Sequence, residues 1–195
     1  MTGTDETGID RLVEAAKAGD PEAFGAVFDA YHGSVYRYVA SRVGRPSDAE
    51  DLTQLVFVKA LEALPRYEAR GIPFGGWLFR LARNTVIDHL RTRRDHVVLE
   101  ALPERPDERP GPEDVAAARE EAEAVGAALA ELTDEQRDAI ALRFFAGLSA
   151  REAAIAMGKQ EGTVRGLQFR GIAALRRRLG LEAPPGGPGE SPGER

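Results

Sequence analysis

Cysteine is absent from the 195 residues, which excludes disulfides and thiolate metal sites and fits a reducing compartment. Histidine is nearly absent: His32, His89 and His96 stand apart, and no metal-ligand spacing forms around them. Aromatic residues make up only 7% while alanine, leucine and arginine abound, a balance that favours helices over sheets. No apolar run approaches the ~20 residues of a membrane span. No charged-then-apolar leader is present either, so a soluble cytoplasmic protein is expected. A glycine-rich phosphate loop following a strand is missing, as is a nucleophile elbow, so neither an enzyme nor a cofactor is expected. Positive charge is in deficit, with 26 lysines and arginines against 32 acids and a net charge of -6. A protein whose sole partner is DNA is seldom so acidic, so much of its surface faces something else.

The chain is organised around residues 149–178, SAREAAIAMGKQEGTVRGLQFRGIAALRRR. Ser149 and Glu152 form an S-x-x-E capping box that starts a short helix at Ala150. Gly158 can end it in the left-handed conformation, and Lys159-Gln160 turns the chain into a second helix from about Glu161. That is helix-turn-helix spacing. Ala154 is small where the helices touch, Gly158 makes the turn, and Val164 anchors the second helix. From Lys159 to Arg178 there are six basic residues (Lys159, Arg165, Arg170, Arg176, Arg177, Arg178) and one acid, Glu161, against the global charge. Charge alone fits a solvated basic face with a basic last turn. Together with the cap, the turn glycine and the anchor it points to duplex DNA, whose phosphates supply most sequence-independent affinity.

Upstream, Ile9, Leu12, Val13 and Ala16 keep helical spacing up to Gly19, and Asp20-Pro21 caps a second helix that ends near Gly44. Its line of Phe24, Val27, Phe28, Tyr31, Val35, Tyr38 and Val39 reads as core. Ser47 to Glu50 reads as another capping box, opening a helix to Leu64 that Pro65 stops. Leu52, Val56 and Leu61 form its apolar face, and Leu55, Phe57 and Val58 add apolar surface beyond one stripe. Asp51 and Gln54 share a face that can meet a basic partner. After a loop, residues 66–73, a helix carries Trp77, Leu78, Leu81, Thr85 and Leu90 as a buried line. From Arg66 to Arg94 there are seven arginines and two acids, Glu68 and Asp88. A basic helix beside a Gly/Pro loop with exposed aromatics suits single-stranded nucleic acid.

The composition then shifts: residues 100–123 hold nine acids, three arginines and four prolines. Helical spacing resumes at Val115, Ala118, Ala122, Val125, Leu129 and Leu132. Thr133 and Gln136 make a further capping box, and the helix that follows, with Ile140 and Phe144, packs under the helix-turn-helix. The expected fold is all-α, with two small helical domains, 9–94 and 115–181. An acidic Pro-containing linker, 95–114, joins them, and a disordered tail, 182–195, follows. Two DNA-contacting modules on a flexible tether gain affinity by effective concentration.

The runs DAEDLTQLVFVKA (48–60), WLFRLARNTVIDHLRTRR (77–94) and GLSAREAAIAMGKQEGTVRGLQFR (147–170) resemble the extracytoplasmic-function group of the bacterial sigma-70 family. The resemblance covers about Leu12 to Leu179, with three motifs in the family's order. It implies a dissociable subunit of RNA polymerase with a region 2 and a region 4 domain. It further implies that Asp51, Gln54 and Leu55 meet core polymerase at the β′ clamp helices, with the β subunit a further contact. The loop from Tyr67 through Arg70 to Phe74 would capture a flipped -10 base with Asn84, while Arg80 and Arg83 hold phosphates. Thr163, Arg165, Phe169 and Arg170 would meet the -35 duplex, with Arg170 reading a base edge. The acidic linker would thread the polymerase cleft as a nucleic-acid mimic, and an anti-sigma factor is an implied partner.

The chain departs from the family pattern at several points. Leu55 stands where the family usually has an acid, Gly166 replaces a common serine, and Leu167-Gln168 replaces a basic-apolar pair. GIPFGG (71–76) occupies the place of a polar loop. An alternative class, a sigma-like decoy or adaptor that binds an anti-sigma factor or polymerase without reading DNA, has no use for Arg165, Arg170 or the arginines from Arg80 to Arg94. A stand-alone helix-turn-helix regulator with a ligand-binding first domain leaves Asp48 to Gln54 unexplained.

Overall fold

The computed structural model describes residues 6–69, 71–97, 127–129 and 131–181, and among these every regular element is helical. Helix α1 is Glu6–Lys17, α2 Pro21–Val43 and α3 Pro46–Ala63. A 3-10 turn, Leu64–Arg66, follows, then α4, Phe74–Val97. In the second half α5 is Asp134–Ile140, running into a π-helical turn Ala141–Phe145, followed by α6, Ala150–Met157, and α7, Glu161–Arg178.

Local chemistry sets most of these boundaries. The Asp20 carboxylate accepts hydrogen bonds from the backbone N–H groups of Glu22 and Ala23, Pro21 sits at the first helical position, and Gly44 closes α2 in the left-handed region at φ 78°. Along α2, Val27, Val35, Tyr38 and Val39 are buried as expected, while Phe24, Phe28 and Tyr31 pack half-buried against the same core. Helix α1 lies across α2, and α3 and α4 close the first bundle.

Several expectations are corrected. Ser47 does not cap α3: the N-cap is Arg45, whose side chain makes no capping hydrogen bond, because Pro46 with its fixed φ and missing N–H takes the first helical position. Pro65 does stop the α-helix, which ends at Ala63 with Leu64 as its C-cap, and the chain continues in a 3-10 turn that carries Pro65 where a missing N–H leaves no bond unmade. Phe57 is buried against Phe28 rather than exposed, whereas Leu61 lies half in solvent. Trp77 is only half-buried, its ring 4.9 Å from Tyr67 and 5.3 Å from Phe74. Phe144 does not pack under the helix-turn-helix. The π turn adds a residue to the helical circuit, so Leu142 points inward and Phe144 outward, 58% exposed. Helix α4 runs to Val97, beyond Arg94. The expectations for Arg70, for residues 98–126 and for the tail from residue 182 lie outside the described residues.

The two halves pack on each other. The most extensive helix–helix contact joins α4 to α6, the π turn rests on α2, and a single apolar cluster runs from Ile9 through Phe79 to Leu167.

Candidate polymerase and promoter interfaces

The helix-turn-helix is built as its sequence dictates. The Glu152 N–H donates to Ser149 Oγ at 3.2 Å while the Ser149 N–H donates to Glu152 Oε2 at 2.8 Å, completing the capping box. Gly158 takes φ 63°, ψ 36°, and the Lys159 N–H returns to the Ala154 carbonyl at 2.9 Å, so the chain leaves α6 at a fixed angle. Val164, fully buried, and Leu167 bind α7 to the domain, leaving Thr163, Arg165, Phe169 and Arg170 on the outer side. Among the described residues Arg165 is engaged only by Glu161 one turn earlier, at 2.6 and 3.1 Å. Such exposed pairs contribute well under ~1 kcal/mol, so Arg165 is easily released to a phosphate. The Arg170 guanidinium folds over Gly166, 3.2 Å from where a Cβ would stand. Gln168 faces inward, its Oε1 accepting from Arg143 Nε at 3.2 Å.

On α4, Arg80 and Asn84 lie one turn apart on an exposed face. Arg83 points the other way, donating from Nε to Asp138 Oδ2 at 2.8 Å. Tyr67 and Phe74 do not offer free rings. Both are buried and meet edge to face at 5.5 Å, and Tyr31 of α2 meets Phe74 edge to face as well, also at 5.5 Å. The Tyr67 hydroxyl donates to the Ile72 carbonyl at 2.8 Å, which pins the loop between them. Burial, helped by the Asp10 and Glu14 carboxylates, pushes the Tyr67 phenol up to about 12. Arg70 lies outside the described residues.

On α3, Asp51, Gln54 and Leu55 are exposed, and Val58 and Leu61 continue the same side as apolar surface. Gln54 lines a shallow groove with His32, Tyr36 and Glu50. The acids at the head of α3 divide: Asp48 is taken up by Arg93 at 3.2 Å and His89 at 3.5 Å, so it ties α3 to α4.

Two functional groups escape a sequence reading. Arg143 donates to Gln168 and to the Leu148 carbonyl, clamping α7 to the turn before α6. Asp138 is buried, with Arg42 Nε at 3.0 Å, Arg83 Nε at 2.8 Å and the Tyr38 hydroxyl at 3.3 Å. The Tyr38 phenol is pushed up by its burial first and by the Asp138 charge second. The local signal was faint: one carboxylate in the otherwise apolar run DAIAL.

No metal-binding cluster occurs among the described residues, and no described helix is long and apolar enough to cross a membrane. Residues 27–96 match Sigma-70 region 2, and residues 128–177 match Sigma-70, region 4. The chain is 38% identical over 179 residues to the ECF RNA polymerase sigma factor BldN of Streptomyces coelicolor, spanning 90% of this chain and 67% of that protein. It is 36% identical to the ECF RNA polymerase sigma factor SigD of Mycobacterium tuberculosis, over 86% of this chain and 82% of that one. Among solved structures, CnrH in complex with the cytosolic domain of CnrY superposes with a TM-score of 0.70 at 28% identity, covering 89% of this chain and 97% of that one. RpoE of Bartonella quintana, in complex with the anti-sigma factor NepR, gives 0.65 at 25%, covering 82% and 98%. With both regions present in order and relatives that align along most of its length, the chain belongs to the sigma-70 family, among the ECF RNA polymerase sigma factors that direct promoter-specific transcription initiation.

Proposed function

We propose a division of labour between the two halves of this sigma factor. Residues 115–181 form the -35 reader: Arg170 contacts a base edge, Thr163 and Arg165 meet phosphates, and Phe169 packs against the groove. Residues 9–94 hold core polymerase and the -10 element, and residues 95–114 are the acidic linker between them. Asp51, Gln54 and Leu55 meet the β′ clamp helices, with Val58 and Leu61 widening the apolar contact. Arg80 and Arg83 hold the single-strand backbone and Asn84 faces the flipped base. Tyr67 and Phe74 shape the capturing loop from beneath, and Arg70 belongs to the same loop. The protein acts in the cytoplasm as an initiation factor rather than a catalyst. Because related sigma factors are seen bound to anti-sigma partners, an anti-sigma factor restrains this one.

The observation that carries the reading is the α7 surface, where four residues suited to DNA stand exposed together opposite a buried Val164–Leu167 anchor. The test is initiation with core polymerase by the Asn84→Ala variant. Closed complexes should form normally while permanganate reactivity of the -10 thymines falls; unchanged reactivity would remove Asn84 from base capture.

A further inference from the structure

From Arg66 to Arg94 the chain carries seven arginines and two acids, and one of those acids, Asp88, stands on α4 itself. The fold engages other carboxylates nearby more firmly. Asp48 is held by Arg93 and His89, and Asp138 is buried against Arg42 and Arg83. The Asp88 side chain is 61% exposed, and among the described residues its carboxylate meets only Arg91, at 3.7 Å and itself 74% exposed. That separation is longer than a hydrogen bond, and such a pair adds little to stability.

Its place on the helix is telling. Arg80, Asn84 and Asp88 follow at intervals of four residues and Arg91 comes three later, so the four share one helix face, and all are exposed there. Two arginines stand at the ends of this row, with an amide and a carboxylate between them. At about 1.5 Å of rise per residue, Asn84 and Asp88 are about 6 Å apart along the axis, roughly one to two nucleotide steps of about 3.4 Å.

On a surface that follows phosphates, a carboxylate weakens the attraction that the arginines supply. What it can do there is accept a hydrogen bond from a base amine. In the major groove cytosine offers its N4 amine and no acceptor, adenine sets its N6 amine beside the N7 acceptor, and guanine and thymine present acceptors. A carboxylate, which only accepts, is matched by cytosine, half-matched by adenine and repelled by the other two.

We propose that Asp88 is a second base-reading residue of α4, selecting cytosine in the paired DNA beside the base that Asn84 faces; this rests on the placement of α4 at the -10 element. The loop before α4 takes the melted base, so later turns of the helix face DNA that is still paired. Asn84 and Asp88 read bases while Arg80 and Arg91 hold the backbone on either side.

The test takes a promoter opened by the parent holoenzyme and varies one base pair at a time across the -10 element and the adjoining duplex. Competition binding compares the parent with Asp88→Asn and Asp88→Ala, both full-length and bound to core polymerase. The parent should favour cytosine at one position by about fivefold, the low end for a base contact. Asp88→Asn should move that preference to adenine, because an amide pairs with N6 and N7 together, and should leave the other positions unchanged. Asp88→Ala should lose the preference and bind the non-cytosine promoters more tightly than the parent does. A helix-stabilising pair with Arg91 cannot produce the switch from cytosine to adenine. Identical base preferences in all three proteins, a change of equal size at every position, or a parent preference for guanine there overturns the proposal. The switch with strand opening unaffected by Asn84→Ala would remove Asn84 from base capture and leave the Asp88 readout standing.

Discussion

Removing the Asp138 carboxylate perturbs the structure where its electrostatics are most concentrated. In Asp138→Ala, Arg42, whose side chain is 2% exposed, keeps a buried charge with no anion among the described residues, and its Nη1 already has no hydrogen-bond partner among them. Breaking a buried pair in this one-sided way typically costs about 3–5 kcal/mol. Arg83, at 20% exposure, can turn toward water and adds little, well below ~1 kcal/mol. The Tyr38 hydroxyl loses its acceptor, worth about 1 kcal/mol. The sum has a ceiling, because Arg42 can rehydrate if the halves separate, so the loss cannot exceed the free energy of their docking. We expect a loss of about 3 kcal/mol, or roughly 6–12 °C in midpoint for a chain of this size. Where docking is the weaker term, the single unfolding transition instead splits in two. Circular dichroism during heating and urea titration reads both. The double variant Arg42→Met/Asp138→Leu, which removes both charges, should recover most of the loss. An Asp138→Ala midpoint within about a degree of the parent, with one unchanged transition, would refute a coupled buried charge cluster.

The remaining predictions concern single sites. Arg170→Ala should cost ~1–3 kcal/mol of discrimination at one -35 position in transcription from promoter variants, and equal loss at every position would refute base reading. Gly158→Ala, forced to φ 63°, should lower the urea stability by about 1–2 kcal/mol, checked by the unfolding midpoint. Ser149→Ala should lose about 1 kcal/mol with its cap, measured the same way. Tyr67 has a folded pKa raised from 10.0 to about 12, so the unfolded chain releases its proton first. Its contribution is therefore complete below pH 10 and is lost as pH rises from 10 toward 12, since the unfolded state there binds fewer protons. Tyr67→Phe should flatten that alkaline loss in denaturation followed by phenolate absorbance.

What could be read in advance was local. The caps at Thr133 and Ser149 and the turn at Gly158 depend on residues within one turn of each other, and each formed as its spacing required. Ser47 misled because the spacing was right but Pro46 claimed the first helical position. Phe144 misled because periodicity assumes an α-helix, and the π turn shifts every later residue around the axis. The exposed faces of α3 and α7 were legible from their charge and apolar pattern; the burial of Tyr67 and Phe74 was not, since it depends on Tyr31 from another helix. The Asp138 cluster joins residues 55 and 100 positions apart, and no local pattern encodes such a meeting. The docking of the two halves was hidden for the same reason, although Gly75 and Gly76 marked one side of it.

This chain gives core polymerase its promoter choice. The decisive assay is run-off transcription with purified core RNA polymerase, with and without the protein, on a pool of promoters from the source genome. Discrete transcripts that start only when the protein is added, and that vanish with Arg165→Ala/Arg170→Ala, are the predicted result. Core binding without any specific transcript would contradict it.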